Sequence, residues 1–158
     1  MVSEECKKIY NKLNTFVTKV INRDVQPQID SLDNSITNLE YDTGWQTITI
    51  TNNKFAHYND SQLLQIHKVG RIVELTGALK NTASITINAT EINVATIPTE
   101  YRSTNYIFGL MQGSQTSVFL VTINMSNGAL NVSRYRSSTT YSSVASGSWF
   151  PIHLTWIV

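Results

Sequence analysis

Ile29-Asp-Ser-Leu-Asp-Asn-Ser-Ile-Thr-Asn-Leu-Glu-Tyr-Asp-Thr-Gly-Trp45 contains the boundary on which the architecture turns. Ile29, Leu32, Ile36 and Leu39 recur in the alternating three-and-four rhythm of a coiled-coil seam. From Trp45 onward the apolar residues alternate with period two, and turn signals fall about every eight to twelve residues, the pattern of an antiparallel sandwich or barrel. The chain therefore reads as mainly β with an N-terminal helical stalk: stalk over 1–42, β head over 43–158. A helix of about a dozen residues is marginal in water, so the short seam over 29–39 must pack on something. Either it self-associates and carries several heads, or it folds back on the head as part of a helical hairpin.

Working outward toward the N-terminus, Ile9, Leu13, Phe16 and Val20 share one helical face. Ser3 is suited to cap this helix, and Glu4 and Glu5 follow where negative charge complements the helix dipole. Gln26-Pro27 then predicts a break or kink, because proline lacks the backbone donor and biases its predecessor away from helix.

Working outward toward the C-terminus, strands are predicted over 45–51, 63–68, 71–79, 84–88, 92–97, 106–111, 117–125, 129–135 and 149–158. Asn127-Gly128 predicts a two-residue hairpin with both central residues at positive φ. In the final strand Phe150, Ile152, Leu154, Trp156 and Val158 take one face, expected to be core, while Trp149, His153 and Thr155 take the other. Residues 137–148 hold eight Ser/Thr and read as a mobile polar loop.

Only 15% of the residues are charged, against roughly 25% in ordinary soluble domains, so the surface relies on Asn, Ser and Thr. Residues 45–158 carry seven Lys/Arg against four Asp/Glu, too slight and scattered an excess for phosphate-backbone binding, and nucleic acid is not expected. Cys6 is the single cysteine, which excludes an intrachain disulfide or a cysteine zinc site. His57, His67 and His153 show no paired metal spacing, and neither a metal nor another cofactor is expected. No run approaches the roughly 20 apolar residues of a membrane span, and no signal-peptide core opens the chain, so a soluble product without membrane insertion is expected.

Thr43-Gly-Trp45, Lys68-Val-Gly-Arg-Ile-Val-Glu-Leu-Thr-Gly77, Ile97-Pro-Thr-Glu-Tyr-Arg102 and Trp149-Phe-Pro-Ile-His-Leu-Thr-Trp-Ile-Val158, following a short helical segment, resemble in order the baseplate receptor-binding proteins of tailed phages that infect Gram-positive bacteria. The resemblance covers nearly the whole chain. It implies a homotrimer with jelly-roll-like sandwich heads that bind a host cell-wall saccharide or teichoic acid. It also implies a stalk held by other baseplate or tail proteins, and a virion location after synthesis in the host cytoplasm. The module such proteins often carry between stalk and head is absent or merged here, since Leu39 and Trp45 are so close. No saccharide-contacting residue is transferred by motif.

Saccharide recognition needs exposed aromatic faces beside fixed polar groups. Three loop clusters offer them: Tyr101, Arg102 and Tyr106; Arg134, Arg136 and Tyr141; and His57 with Asp60. Arginine would also pair with phosphate on a teichoic acid. Each cluster has a structural alternative. Tyr101-Arg102 can close the turn after Pro98, Arg134 and Arg136 can line a solvated strand, and Asn59-Asp60 can hold a turn. In a trimer Trp149, with His153 beside it, is expected at the contact between protomers, joining the seam residues Ile29, Leu32, Ile36 and Leu39. The head has four carboxylates with no motif pairing two of them, and no nucleophile motif, so an enzyme is not expected. A tail-associated depolymerase and a purely structural baseplate subunit are the alternatives.

Overall fold

Ser3 caps the first helix as its residue type predicts, its hydroxyl accepting the Cys6 amide at 3.3 Å. The structure, a computed structural model, describes residues 3–86, 90–114, 116–137 and 143–158. It divides into two compact units, Met1–Tyr41 and Asp42–Val158. The chain is helical at its N-terminus and otherwise mainly antiparallel β.

In the helical unit α1 (Glu4–Val20) runs through a π turn (Ile21–Val25) directly into α2 (Gln26–Glu40). The break expected at Pro27 does not occur, and no helical hairpin forms. Pro27 lies in the first turn of α2, where a missing donor costs little. The irregularity is displaced into the preceding turn, where the Gln26 amide bonds the Ile21 carbonyl five residues back. In an unbroken α-helix Val25 would lie about 140° around the axis from Val20. The π turn accommodates one more residue per turn and returns Val25 to a place above Val20. It thereby brings Ile9-Leu13-Phe16-Val20 toward the same side as Val25-Ile29-Leu32-Ile36-Leu39. These side chains are exposed or half-exposed, and neither α1 nor the π turn buries any residue. Among its described residues the unit buries no side chain.

The β unit contains β1 (Gln46–Thr47), β2 (Phe55–His57), β3 (Gln65–Val69), β4 (Ile72–Asn81), β5 (Ile85–Thr86), β6 (Ile92–Thr96), β7 (Ile107–Gln112), β8 (Val118–Asn124), β9 (Ala129–Arg136), β10 (Ser143–Val144) and β11 (Trp149–Ile157). One sheet has the order β1-β3-β4-β11, with β2 also on β4; a second has the order β6-β9-β8-β7; β5 and β10 form a short third. Phe150, Ile152, Leu154 and Trp156 of β11 are buried, as their alternation predicts. Opposite them on β4 lie Leu79, Gly77, Leu75 and Val73. Phe119, Val121 and Ile123 of β8 and Leu130 and Val132 of β9 join the same core. At its centre the Phe150 ring lies 5.1 Å from Phe119, 5.5 Å from Tyr135 and 5.8 Å from Phe55, at angles from edge-on to tilted.

Four local expectations are corrected. The strand over 45–51 shrinks to β1 because the chain changes sheets: Ile48 donates to Leu64, whereas Thr51 donates to Val94 at 3.1 Å and Ile50 bridges Ala95. Phe55–His57, read as loop, pairs with β4; three residues are too few to show a period. The Ser/Thr-rich stretch, of which 138–142 lie outside the described residues, contains β10, whose Val144 is buried against the core. Buried Asn81 ties 144–148 to the end of β4, donating to Ala83, Val144 and Ala145 and accepting the Ser148 amide at 2.8 Å. Finally, the β8–β9 connection is a four-residue loop in which only Gly128 has positive φ (76°). The Gly128 amide returns to the Asn124 carbonyl at 2.7 Å, and a Cβ there would collide with the Ile97 carbonyl.

Candidate functional site

Among the described residues, the outward face of β7 carries the two most exposed large apolar side chains of the β unit. Ile107 and Met111 pack against the core, and the same alternation turns Phe108 and Leu110 outward, where they are 69% and 65% exposed. Tyr106, just before the strand, continues this row, and its hydroxyl donates to Glu91 at 2.8 Å. Glu91 also accepts from Thr122 of β8 at 2.7 Å and from the Asn131 side chain of β9 at 3.1 Å. The Asn93 amide donates to Asn131 at 3.2 Å and completes a polar row across the sheet. Partial burial first, and then the adjacent Glu91 carboxylate, push the Tyr106 hydroxyl above its ordinary range, so it remains a donor. Thr122 and Asn131 are themselves buried and hold the row in place, so what this face offers a sugar is the exposed Tyr106 and Phe108 rings beside the exposed Glu91 and Asn93.

Of the first predicted cluster only Tyr106 belongs to this face. Tyr101 is fully buried in a short 3-10 turn (Thr99–Tyr101), and its carbonyl accepts the Trp156 indole N–H at 2.7 Å. Arg102 is half-buried and donates through Nε to the Ile97 carbonyl at 2.8 Å. Both have the turn-closing role; for Tyr101, which no ligand can reach, this corrects its reading as a ligand contact. Glu91, Asn93, Phe108, Thr122 and Asn131 belong to this face and are not among the residues predicted from the sequence. Phe108 is within reach of the alternation Tyr106, Phe108, Leu110; the polar row is assembled from β6, β8 and β9 and the residue before β6, and has no local signature.

Arg134 and Arg136 are both exposed and, with Leu110 and Leu120, line a cleft of about 150 Å³. Tyr141, assigned with them, lies outside the described residues.

His57 is half-buried, and its Nδ1 accepts the Leu64 amide at 3.0 Å. Asp60 is exposed beside a turn in which the Asn59 side chain accepts the Ser61 amide at 2.9 Å. His57 thus has a structural bond through Nδ1, while Asp60 remains at the surface. Burial lowers the His57 pKa, so the fold favours the neutral ring. The sign follows: the unfolded chain takes up this proton near about pH 6.5, the folded chain only at lower pH, and stability is full above that value and falls on acidification. Urea midpoints are expected to drop between about pH 7.5 and 5.5, and His57→Gln, whose side-chain oxygen can still accept from Leu64, should flatten the drop.

Trp149 is half-buried and meets Tyr58 edge-on at 6.4 Å, while His153 is exposed with Nδ1 3.6 Å from Glu74. Together with Ser61, Gln62 and Gln112 they border a cleft of about 410 Å³. Part of the Trp149 surface is therefore covered by its own chain. Among the described residues no cluster of three His, Cys, Asp or Glu side chains could hold a metal ion. Among them, too, no helix is long and apolar enough to cross a membrane. In comparisons with known proteins, the chain matches no protein-family model and no curated protein.

Proposed function

We propose that this chain is a non-enzymatic receptor-binding protein of a phage tail tip or baseplate, homotrimeric, attaching the virion to a host cell-wall saccharide or teichoic acid. The observation that carries the reading is the apolar stripe from Ile9 to Leu39 on a helical unit whose described residues bury no side chain. A heptad-like stripe is the surface that identical helices cover for one another. Phased through the π turn, it is long enough for the three or four heptads a stable bundle needs. The β unit, a jelly-roll-like sandwich in this reading, supplies the exposed Tyr106–Phe108 platform. Several weak sugar sites per tip then act together, because linked copies raise the effective concentration of each further contact. Other tail proteins hold the helical end.

Light scattering of the intact chain is expected to give three times the 17.7 kDa chain mass. Ile36→Asp would place charges inside the bundle and should lower that mass at micromolar concentration while leaving the β unit's thermal transition in place. Adsorption to Gram-positive cell walls is expected for the trimer. Steady release of new reducing ends from those walls would instead favour a depolymerase. Full assembly into baseplates without any wall binding would favour a structural subunit.

A further inference from the structure

Arg134 is the single described non-glycine residue with positive φ, at 55°. An L side chain is strained there, and asparagine or glycine is the ordinary occupant. The strain coincides with a register shift between β8 and β9: Leu120 pairs Ser133, but Val118 pairs Arg136, so one residue of β8 faces two of β9. This bulge resets the alternation of β9. Val132 points to the core, and unbroken alternation would send Arg134 inward and Tyr135 outward. Instead Tyr135 packs on Phe150, while Arg134 and Arg136 both emerge beside Leu110 and Leu120. Among the described residues neither guanidinium has a hydrogen bond or an ion pair. Among the described residues two unpaired cations thus lie beside one cleft, and one of them, Arg134, holds a backbone position that glycine would occupy more easily.

We infer that Arg134 and Arg136 form an anion site for the phosphate groups of a polyol- or sugar-phosphate polymer. Guanidinium forks are matched to such oxygens. One planar carboxylate saturates a single fork, whereas a tetrahedral phosphate offers oxygens to two forks approaching from different sides. Leu110 and Leu120 form the apolar floor on which the CH groups between successive phosphates rest, and exposed Phe108 extends that floor along β7. The inference rests on the reading of the β unit as a binder of surface polymers, and assigns the charged half of that recognition to this cleft.

Calorimetry of the full chain with poly(glycerol phosphate) tests it, with dextran, polygalacturonate and inorganic phosphate as comparison ligands. Expected are binding of poly(glycerol phosphate) that weakens with added NaCl, weak binding of inorganic phosphate, and no comparable binding of the other two polymers. Arg134→Gly and Arg136→Gln should each weaken it about tenfold or more. Arg134→Gly should do so while its thermal midpoint holds or rises, since glycine relieves the strain. Unchanged affinity in both variants, or no binding by the unsubstituted chain, would overturn the site. Equal affinity for polygalacturonate would overturn the phosphate assignment. Adsorption to cell walls, measured in parallel, separates the two readings. Equal adsorption by the original chain and both variants overturns the anion site and leaves the adhesin standing. Loss of all adsorption with polymer binding intact does the reverse.

Discussion

Deleting Trp156–Val158 should leave the β unit unable to fold at 25 °C. Trp156 is buried between the sheets, and its indole N–H supplies the hydrogen bond to the Tyr101 carbonyl at 2.7 Å. Val158 closes the end of the β11–β4 ladder, donating to the Arg71 carbonyl at 2.9 Å and accepting from the Arg71 side chain at 2.8 Å. Truncating a buried tryptophan to alanine costs about 3–5 kcal/mol, and a stranded buried acceptor adds about 1–3 kcal/mol. Against a total of roughly 5–15 kcal/mol for a domain, the three-residue deletion removes most or all of the stability. Trp156→Phe should be milder, retaining much of the ring volume but losing the donor. Circular dichroism and urea titration are the measurements. A cooperative melt for the deletion within about 1 kcal/mol of the parent would show that β11 is not a keystone of the core.

Gly77→Ala should be nearly as damaging, although it adds one methyl group. Gly77 has φ 131°, and a Cβ there would run into the Leu63 carbonyl oxygen and come within 2.7 Å of the Leu63 carbonyl carbon and the Leu64 Cα. All three are backbone atoms, so no side chain can swing aside. Nor can the segment withdraw easily. Leu64 is fully buried, its amide bonds His57, and its carbonyl accepts from Ile48 at 2.9 Å. Backbone strain of about 1–3 kcal/mol and overpacking of about 1–3 kcal/mol act together. Gly147 provides the control: its φ is 81° but nothing lies within 4 Å of the added Cβ. Gly147→Ala should therefore cost only about 1–2 kcal/mol. Equal urea midpoints for the two variants would mean that close approach is not what requires glycine at Gly77.

Both predictions concern residues whose surroundings differ in legibility. The burial of Trp156 could be read from β11 alone, because strict alternation over nine residues leaves only one face for the core. The acceptor of its indole could not, since Tyr101 lies 55 positions away in a turn that local reading offered as a sugar contact. Gly77 stands in a strand with the proper pattern for β4, and nothing nearby announces the close passage of Leu63. Asn127-Gly128 was legible as a turn but not as a four-residue loop, because register across β8 and β9 sets the loop length.

The candidate site divides the same way. Tyr106 was found by its residue type and position near a strand end, and Phe108 and Leu110 were within reach of the same alternation. Glu91, Thr122 and Asn131 converge only after β6, β9 and β8 have paired, so no window of sequence contains them together. The sequence leaves Arg134 and Arg136 either alternating on a solvated strand or serving a ligand. Their actual arrangement depends on the bulge that inverts the alternation between Ser133 and Tyr135.

By itself, then, the sequence determined the division into helix and antiparallel β structure, the apolar stripe of the helix and the inward face of β11. Each of these is written in a short-range period, 3.5 to 3.6 or 2, that repeats wherever burial repeats. Only the tertiary structure decided that the helix runs through Pro27 by way of a π turn, that Tyr101 belongs inside, and that Glu91 meets Tyr106. It also decided that two arginines share one cleft. Those outcomes depend on which carbonyl, strand or bulge a residue meets far along the chain, and such meetings leave no period for the sequence to display.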